Sequence, residues 1–255
     1  MAGAIISGIL RGGLASPEEI IGSAPSEEGR AKAEKANGIL VTPDNRRVCQ
    51  EADVVFLSVK PQFLAEVAAE VKDLLPADKL VISIVAGRSL ADLQDLLGGS
   101  PRKLIRVMPN TPALVGEGMS AFCCSEQVTE EEKAQAIRVL DAFGKSALVP
   151  ERLFDAVTAV SGSSPAYVFL FIEAMADGAV SCGMPRAQAY QFAAQSVLGA
   201  AKMVLETGLH PGELKDMVTS PAGTTIEAVR VLEEMGLRSA VMEAVVACCE
   251  RSKEL

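Results

Sequence analysis

The strongest limit on the fold is a change of pattern near residue 150. Before it, short apolar runs alternate with helical periodicity; after it, strand signals stop. Residues 19–24, 53–59, 80–85 and 104–107 read as strands, rich in Val and Ile and mostly apolar on both faces. A parallel sheet covered by helices on both sides requires that pattern. Between them, residues 26–36, 61–75 and 90–97 carry helical spacing, and Ala4, Ile5 and Ile6 open the chain inside a helix. Thr129 with Glu132 predicts a capping box that starts a helix running to Phe143. This alternation predicts an α/β, Rossmann-like N-terminal domain over residues 1–150. Helical runs at 151–160, 165–182, 186–207, 211–218, 225–235 and 237–252 predict an all-α C-terminal domain over residues 151–255. A length of 255 residues suits two domains of that size.

Charge and composition exclude several partners. The net charge of −9 argues against nucleic acid or an anionic membrane surface. The most hydrophobic run, residues 166–180, is interrupted by Glu173 and Asp177, so it is not read as a membrane span. Those two carboxylates lie four apart on one helix face, which suits a role in packing or a helix-face ion network better than a metal or acid–base pair. The six cysteines form no CxxC spacing and no disulfide framework, and no signal peptide is evident. The expected compartment is therefore the cytoplasm. With one histidine and no thiols at ligand spacing, no metal site is expected.

The most telling segment is Thr219-Ser220-Pro221-Ala222-Gly223-Thr224-Thr225, small residues feeding into a helix. Pro221 breaks the preceding helix, and Gly223 is expected to take a positive φ. The following helix would begin with hydroxyls at its positive end, where a carboxylate or phosphate is stabilised. A second reading of the same letters is a capping box, Thr224 with Glu227. In the N-terminal half, the strand over residues 19–24 runs into Gly22-Ser23-Ala24-Pro25-Ser26, with no carboxylate where NAD-specific folds place one on the ribose. Ser23, Ser26 and Arg30 could hold a 2′-phosphate there, which favours NADP over NAD; a solvated helix charge is the alternative for Arg30. Lys60 closes the next strand and Pro61 suits a first helical turn. Asn110 and Thr111 lie between two prolines, where turn chemistry alone explains them equally well. Ser164 and Pro165 read as a helix start, leaving Ser163 as a candidate substrate contact.

Five ordered words resemble the motifs of pyrroline-5-carboxylate reductases, which make the last reduction in proline synthesis. They are Ser58-Val59-Lys60-Pro61, Arg106-Val107-Met108-Pro109-Asn110-Thr111-Pro112, Ser161-Gly162-Ser163-Ser164-Pro165-Ala166-Tyr167, Gly183-Met184-Pro185-Arg186, and His210-Pro211-Gly212-Glu213-Leu214-Lys215-Asp216 leading into the loop above. Ala222 stands where the first loop glycine of that family usually sits. The family opens with a strand and a Gly-x-Gly-x-x-Ala turn for the cofactor pyrophosphate. Here Met1 and Ala2 align with the end of that turn, so the first strand is expected to be truncated, through a late start site or a fragment.

The resemblance implies an NADPH-dependent reductase of 1-pyrroline-5-carboxylate, with NADH as the alternative cofactor, that forms a homodimer or larger homo-oligomer through its helical half. It implies cofactor contacts at Asn45, Ser58, Val59, Lys60, Pro61, Ala86 and Asn110. Ser163, Ser220, Gly223, Thr224 and Thr225 are the implied substrate contacts, with Thr225 catalytic through a hydrogen bond to the ring nitrogen. His210, ahead of Pro211, has a structural role. Two other readings remain open at this level. One is an imine or β-hydroxyacid reductase of the same plan, with Lys202 or Lys215 as its lysine. The other is a catalytically silent helical dimer.

Overall fold

The computed structural model describes residues 1–254. The chain opens with helix α1 (Ala2–Arg11), followed by strand β1 (Ile21–Ser23), α2 (Glu27–Asn37), β2 (Leu40–Thr42) and α3 (Asn45–Glu51). Next come β3 (Val54–Leu57), α4 (Pro61–Val71), β4 (Leu80–Ser83), α5 (Leu90–Leu96) and β5 (Leu104–Met108). Strand β6 (Gly118–Cys124), α6 (Glu130–Asp141) and β7 (Gly144–Leu148) complete the α/β part. Strands β1 and β2 form a parallel pair. The other five lie in the order β3-β4-β5-β6-β7, parallel except for the antiparallel pairing of β5 with β6.

Alternation along the strands feeds two cores, one on each face of the sheet. Leu80, Ile82, Ile105, Val107 and Phe122 point to one side, where Ala4 and Ile5 of α1, Leu140 of α6 and Phe143 cover them. Val55, Leu57, Val81 and Leu104 point to the other, under Cys49 of α3, Leu64 and Ala68 of α4 and Leu93 of α5. The capping box predicted at Thr129 and Glu132 is formed.

Strands β2, β6 and β7 and helix α3 were not legible in the sequence. Strand β7, Gly-Lys-Ser-Ala-Leu, has no β-branched residue, and its state comes from its pairing with β6. That pairing brings two glycines together: a Cβ at Gly144 would lie 1.9 Å from the carbonyl oxygen of Gly118. The predicted helix over 61–75 ends earlier, at Val71, and continues as a 3-10 turn over Lys72–Leu74. The guanidinium of Arg102 donates to the carbonyls of Leu75 and Lys72 at that helix end, where a cation is electrostatically favoured.

The chain divides into two compact units, Met1–Gly162 together with the C-terminal end from Cys249, and Ser163–Cys248. The first unit includes a 3-10 turn at Glu151–Leu153, helix α7 (Phe154–Val157) and a π-helical turn at Thr158–Gly162. Arg106 anchors this segment to β5. Its guanidinium lies 4.3 Å from the Phe154 ring centre and 3.0 Å from Glu151 Oε1, which also accepts from the Leu90 N–H at 2.7 Å.

The second unit is built from α8 (Ser164–Ser181), α9 (Arg186–Thr207), α10 (Pro211–Met217), α11 (Thr224–Glu234) and most of α12 (Leu237–Lys253). Its buried hydrophobic residues, among those described, are Ala176, Ala189 and Ala193. Phe169, Leu170 and Phe192 are each more than 60% exposed and Leu205 is 84% exposed. The stretch Glu151–Ser181 is long and apolar enough by composition to match a membrane-crossing helix, but 3-10 and π-helical turns break it. Asp177 pairs with Arg186 beyond the end of this helix, and the Arg186 guanidinium lies 5.4 Å from the Tyr190 ring centre, while Glu173 joins no ion pair among the described residues.

Candidate active site

The residues singled out for the cofactor share a topological position. Ser23 ends β1, and Asn45 opens α3 just after β2. Ser58, Val59 and Lys60 lead from β3 into α4, whose first residue is Pro61. Ala86 follows β4 and Asn110 follows β5. All therefore stand at the carboxyl ends of parallel strands, the edge at which open α/β sheets receive ligands. Ser58 to Pro61, Ala86 and Asn110 belong to the neighbouring strands β3, β4 and β5.

Local hydrogen bonds shape the β1 end. Ser26 caps α2, its hydroxyl accepting from the Gly29 N–H at 3.1 Å. Arg30 reaches back so that one guanidinium nitrogen donates to the carbonyls of Ala24 and Pro25, both at 3.0 Å. Neither Arg30 nor Lys60 is ion-paired among the described residues. The Ser23 hydroxyl donates to Asn45 Oδ1 at 2.7 Å, and Asn45 Nδ2 donates to Glu70 Oε2 at 2.8 Å. An NADP molecule fits this donor set: a cation without a carboxylate partner, a helix N-terminus and a capping hydroxyl face one loop. Glu27 and Glu28 in the first turn of α2 are exposed to solvent, which weakens their opposition.

Asn110 is held on both sides. Its Nδ2 donates to the carbonyl and the hydroxyl of Ser161 at 3.1 and 3.3 Å, and its Oδ1 accepts from the Met119 N–H at 2.8 Å. The carboxamide thereby ties the loop after β5 to the π-helical turn, where Gly162 leaves room for the Met108 methyl.

The small-residue loop differs from expectation in two respects. Gly223 has φ −79° and ψ 171°; the positive φ belongs to Ala222, at 54°, the one non-glycine residue so placed among those described. A hydrogen bond from the Gly223 N–H to the Ser220 carbonyl closes the turn at 3.0 Å. Pro221 then occupies the second turn position and the positive φ the third, as type II turns require. Gly223 instead sits close to Ser220: a Cβ there would lie 2.3 Å from Ser220 Oγ and 3.2 Å from its carbonyl oxygen, so the serine hydroxyl would have to turn away.

Nor does Thr224 cap the helix. Gly223 is the N-cap, Thr224 is the first helical residue, and Glu227 pairs with Arg230. A helix normally leaves its first N–H groups without intrahelical partners. Here no side chain among the described residues caps them, which leaves the N–H groups of α11 beside half-buried Thr225 without a capping partner.

Ser163, the remaining substrate candidate, is itself the N-cap of α8, one position ahead of the expected Ser164, and makes no capping bond. Its hydroxyl accepts from Cys248 Sγ at 3.3 Å. Tyr167, one turn along, joins this group: hydrogen bonding to Cys248, then burial, raises its hydroxyl pKa above the ordinary value, against an opposing bond to Ser163. Nothing in the sequence signals that Cys248 meets Ser163, because 85 positions separate them and no local pattern joins them. His210 caps α10, its Nδ1 accepting from the Gly212 N–H at 3.0 Å, the structural role expected. Lys202 is paired with Glu206 and Lys215 with Asp216.

A parallel sheet with its ligand edge lined by phosphate-compatible donors, followed by helices that cannot bury their own apolar faces, defines a dinucleotide-linked oxidoreductase with an oligomerising helical domain. Residues 1–87 match the family described as NADP oxidoreductase, coenzyme F420-dependent, and residues 151–255 match pyrroline-5-carboxylate reductase dimerisation. The chain is 51% identical over its whole length to pyrroline-5-carboxylate reductase of Escherichia coli (strain K12), spanning 94% of that protein. It is 48% identical to the Methanosarcina acetivorans enzyme, again over 100% of this chain and 94% of the relative. Among solved structures, the pyrroline-5-carboxylate reductase of Coxiella burnetii superposes with a TM-score of 0.92 at 36% identity, covering 99% of this chain and 94% of that one. The Plasmodium falciparum enzyme, solved with NADP bound, gives 0.88 at 31% identity over 98% and 92%. The chain belongs to the pyrroline-5-carboxylate reductase family, and with it to the NADP-linked, homo-oligomeric oxidoreductases.

Proposed function

We propose that this chain reduces 1-pyrroline-5-carboxylate to L-proline, the last step of proline biosynthesis, and holds the substrate at the open N-terminus of α11. The observation that carries this reading is the absence of any side-chain cap on that helix, beside a half-buried threonine. The N–H groups of Thr224 and Thr225 receive the substrate carboxylate, with Gly223 keeping the approach clear and the Ser220 and Ser163 hydroxyls completing the pocket. Thr225 Oγ hydrogen-bonds the ring nitrogen. The protonated imine is the better electrophile, so the proton on nitrogen stays with the product amine as the C=N bond becomes C–N. Thr225 fixes which face of the ring is presented, and orientation of this kind can supply several kcal/mol, on the order of 7–11 at its largest.

NADPH, when bound, supplies the hydride, and NADH is the alternative donor. Ser23, Ser26, Arg30 and Asn45 hold its adenosine end, while Ser58, Val59, Lys60, Pro61, Ala86 and Asn110 line the rest of the sheet edge. Residues 1–150 serve as the nucleotide domain and 151–255 as the substrate and dimerisation domain. A second copy of the chain covers the apolar helical faces, in a homodimer or larger assembly, and the reduced thiols suit the cytoplasm.

Titration with NADPH followed by turnover on 1-pyrroline-5-carboxylate tests the assignment. Thr225→Ala is expected to lower kcat by about 100-fold, the scale of losing one transition-state hydrogen bond. Thr224→Ala is expected mainly to raise KM. Kinetics equal to the parent in both variants would remove these roles.

A further inference from the structure

The Ser23–Asn45–Glu70 chain has a fixed direction. An ionised carboxylate only accepts hydrogen bonds, so Glu70 Oε2 must face the amide NH₂ of Asn45, at 2.8 Å. That choice turns Asn45 Oδ1 toward Ser23. A carbonyl oxygen also only accepts, so the Ser23 hydroxyl spends its single proton on Asn45, at 2.7 Å. Ser23, exposed at the carboxyl end of β1, is left presenting lone pairs to whatever approaches. It suits a hydroxyl donor and opposes a phosphate oxygen. To donate to a phosphate, Ser23 must give up its bond to Asn45.

We propose that Glu70, acting through Asn45, is a positioning residue that makes Ser23 an acceptor and so weakens discrimination at the 2′ position of the cofactor's adenosine ribose. The proposal rests on the placement of Ser23 beside that ribose. Arg30 and Ser26 favour the 2′-phosphate, whereas the relay favours the free 2′-hydroxyl, and the balance admits NADH alongside NADPH. Glu70 lies on α4, distant in sequence from the β1 loop and outside every motif, so only the folded chain shows the connection.

The test is calorimetric binding of ADP-ribose and 2′-phospho-ADP-ribose to the full chain, at about 0.5 M NaCl to screen through-space charge effects. Glutamine at position 70 is nearly isosteric and, unlike a carboxylate, can donate to Asn45 Oδ1, which turns the Asn45 NH₂ toward Ser23 and releases the Ser23 proton. Glu70→Gln is expected to raise the preference for 2′-phospho-ADP-ribose about fivefold, the scale of one hydrogen bond made or lost. In a Ser23→Ala background the same substitution should leave the preference unchanged. An equal rise in both backgrounds would overturn the relay in favour of simple charge repulsion. If Ser23→Ala weakens ADP-ribose but Glu70→Gln alone changes nothing, the relay is wrong while the placement of Ser23 stands. Unchanged affinities in Ser23→Ala, or no binding of either ligand, would overturn the placement and the proposal with it.

Discussion

The two units treat their apolar residues in opposite ways. The sheet-containing unit hides Phe122, Phe143, Leu140 and Ile105 in the core on one face of its sheet, and Leu57, Leu64 and Leu93 in the core on the other. The helical unit buries three alanines and leaves Phe169, Leu170, Phe192 and Leu205 open. The first is stabilised from within. The second has the makeup of a surface that another chain completes, in accord with its match to a dimerisation family. Stability and assembly should therefore be separable by mutation.

The largest effect is expected where the contrast is sharpest. Replacing both Phe169 and Phe192 with Glu should weaken self-association about 1000-fold or more, since burying unpaired charges costs several kcal/mol. Sedimentation would show a shift to monomer mass with the circular dichroism of the sheet unit retained. An unchanged oligomer would place the interface elsewhere. Phe143→Ala should do the reverse, costing about 3–5 kcal/mol in chemical denaturation through cavity formation, with little change in the association of the folded chains.

A smaller effect is expected at Ala222. Its left-handed backbone costs about 1–2 kcal/mol, and glycine returns part of that gain through greater freedom in the unfolded chain. Ala222→Gly should therefore stabilise the helical unit by about 0.5 kcal/mol, and a loss of stability would contradict the turn described.

The smallest readout is chemical. Burial first, then the nearby Glu151 carboxylate, pushes the Cys123 thiol up to about 12. It should stay protonated and resist alkylation at mildly alkaline pH, while exposed Cys182 reacts. Labelling of Cys123 before unfolding would show that the sheet opens locally.

Much of the architecture could be read without coordinates. The doubly apolar strands β3, β4 and β5 fell where Val and Ile cluster, and α9 spans the residues its periodicity marked. The strands that escaped notice, β2, β6 and β7, are short or built from small residues, and partners hold them in place. The small-residue loop stood out in the sequence, but its backbone was assigned wrongly. The letters suggested that glycine would carry the positive φ. In the folded chain Ala222 carries it, because Pro221 takes the second position of a turn whose third position requires the positive φ.

The sequence by itself determined the most apolar strands and the helices between them, the division between a sheet-forming and a helical half, and the family to which the motifs point. Those properties are written in local periodicity and short contiguous words. Tertiary structure alone decided that Thr224 leaves its helix uncapped, that Cys248 and Tyr167 meet Ser163, and that Glu70 governs the proton of Ser23. Hydrogen bonds between distant positions depend on which groups the fold brings within about 3 Å, and no spacing along one chain records that distance.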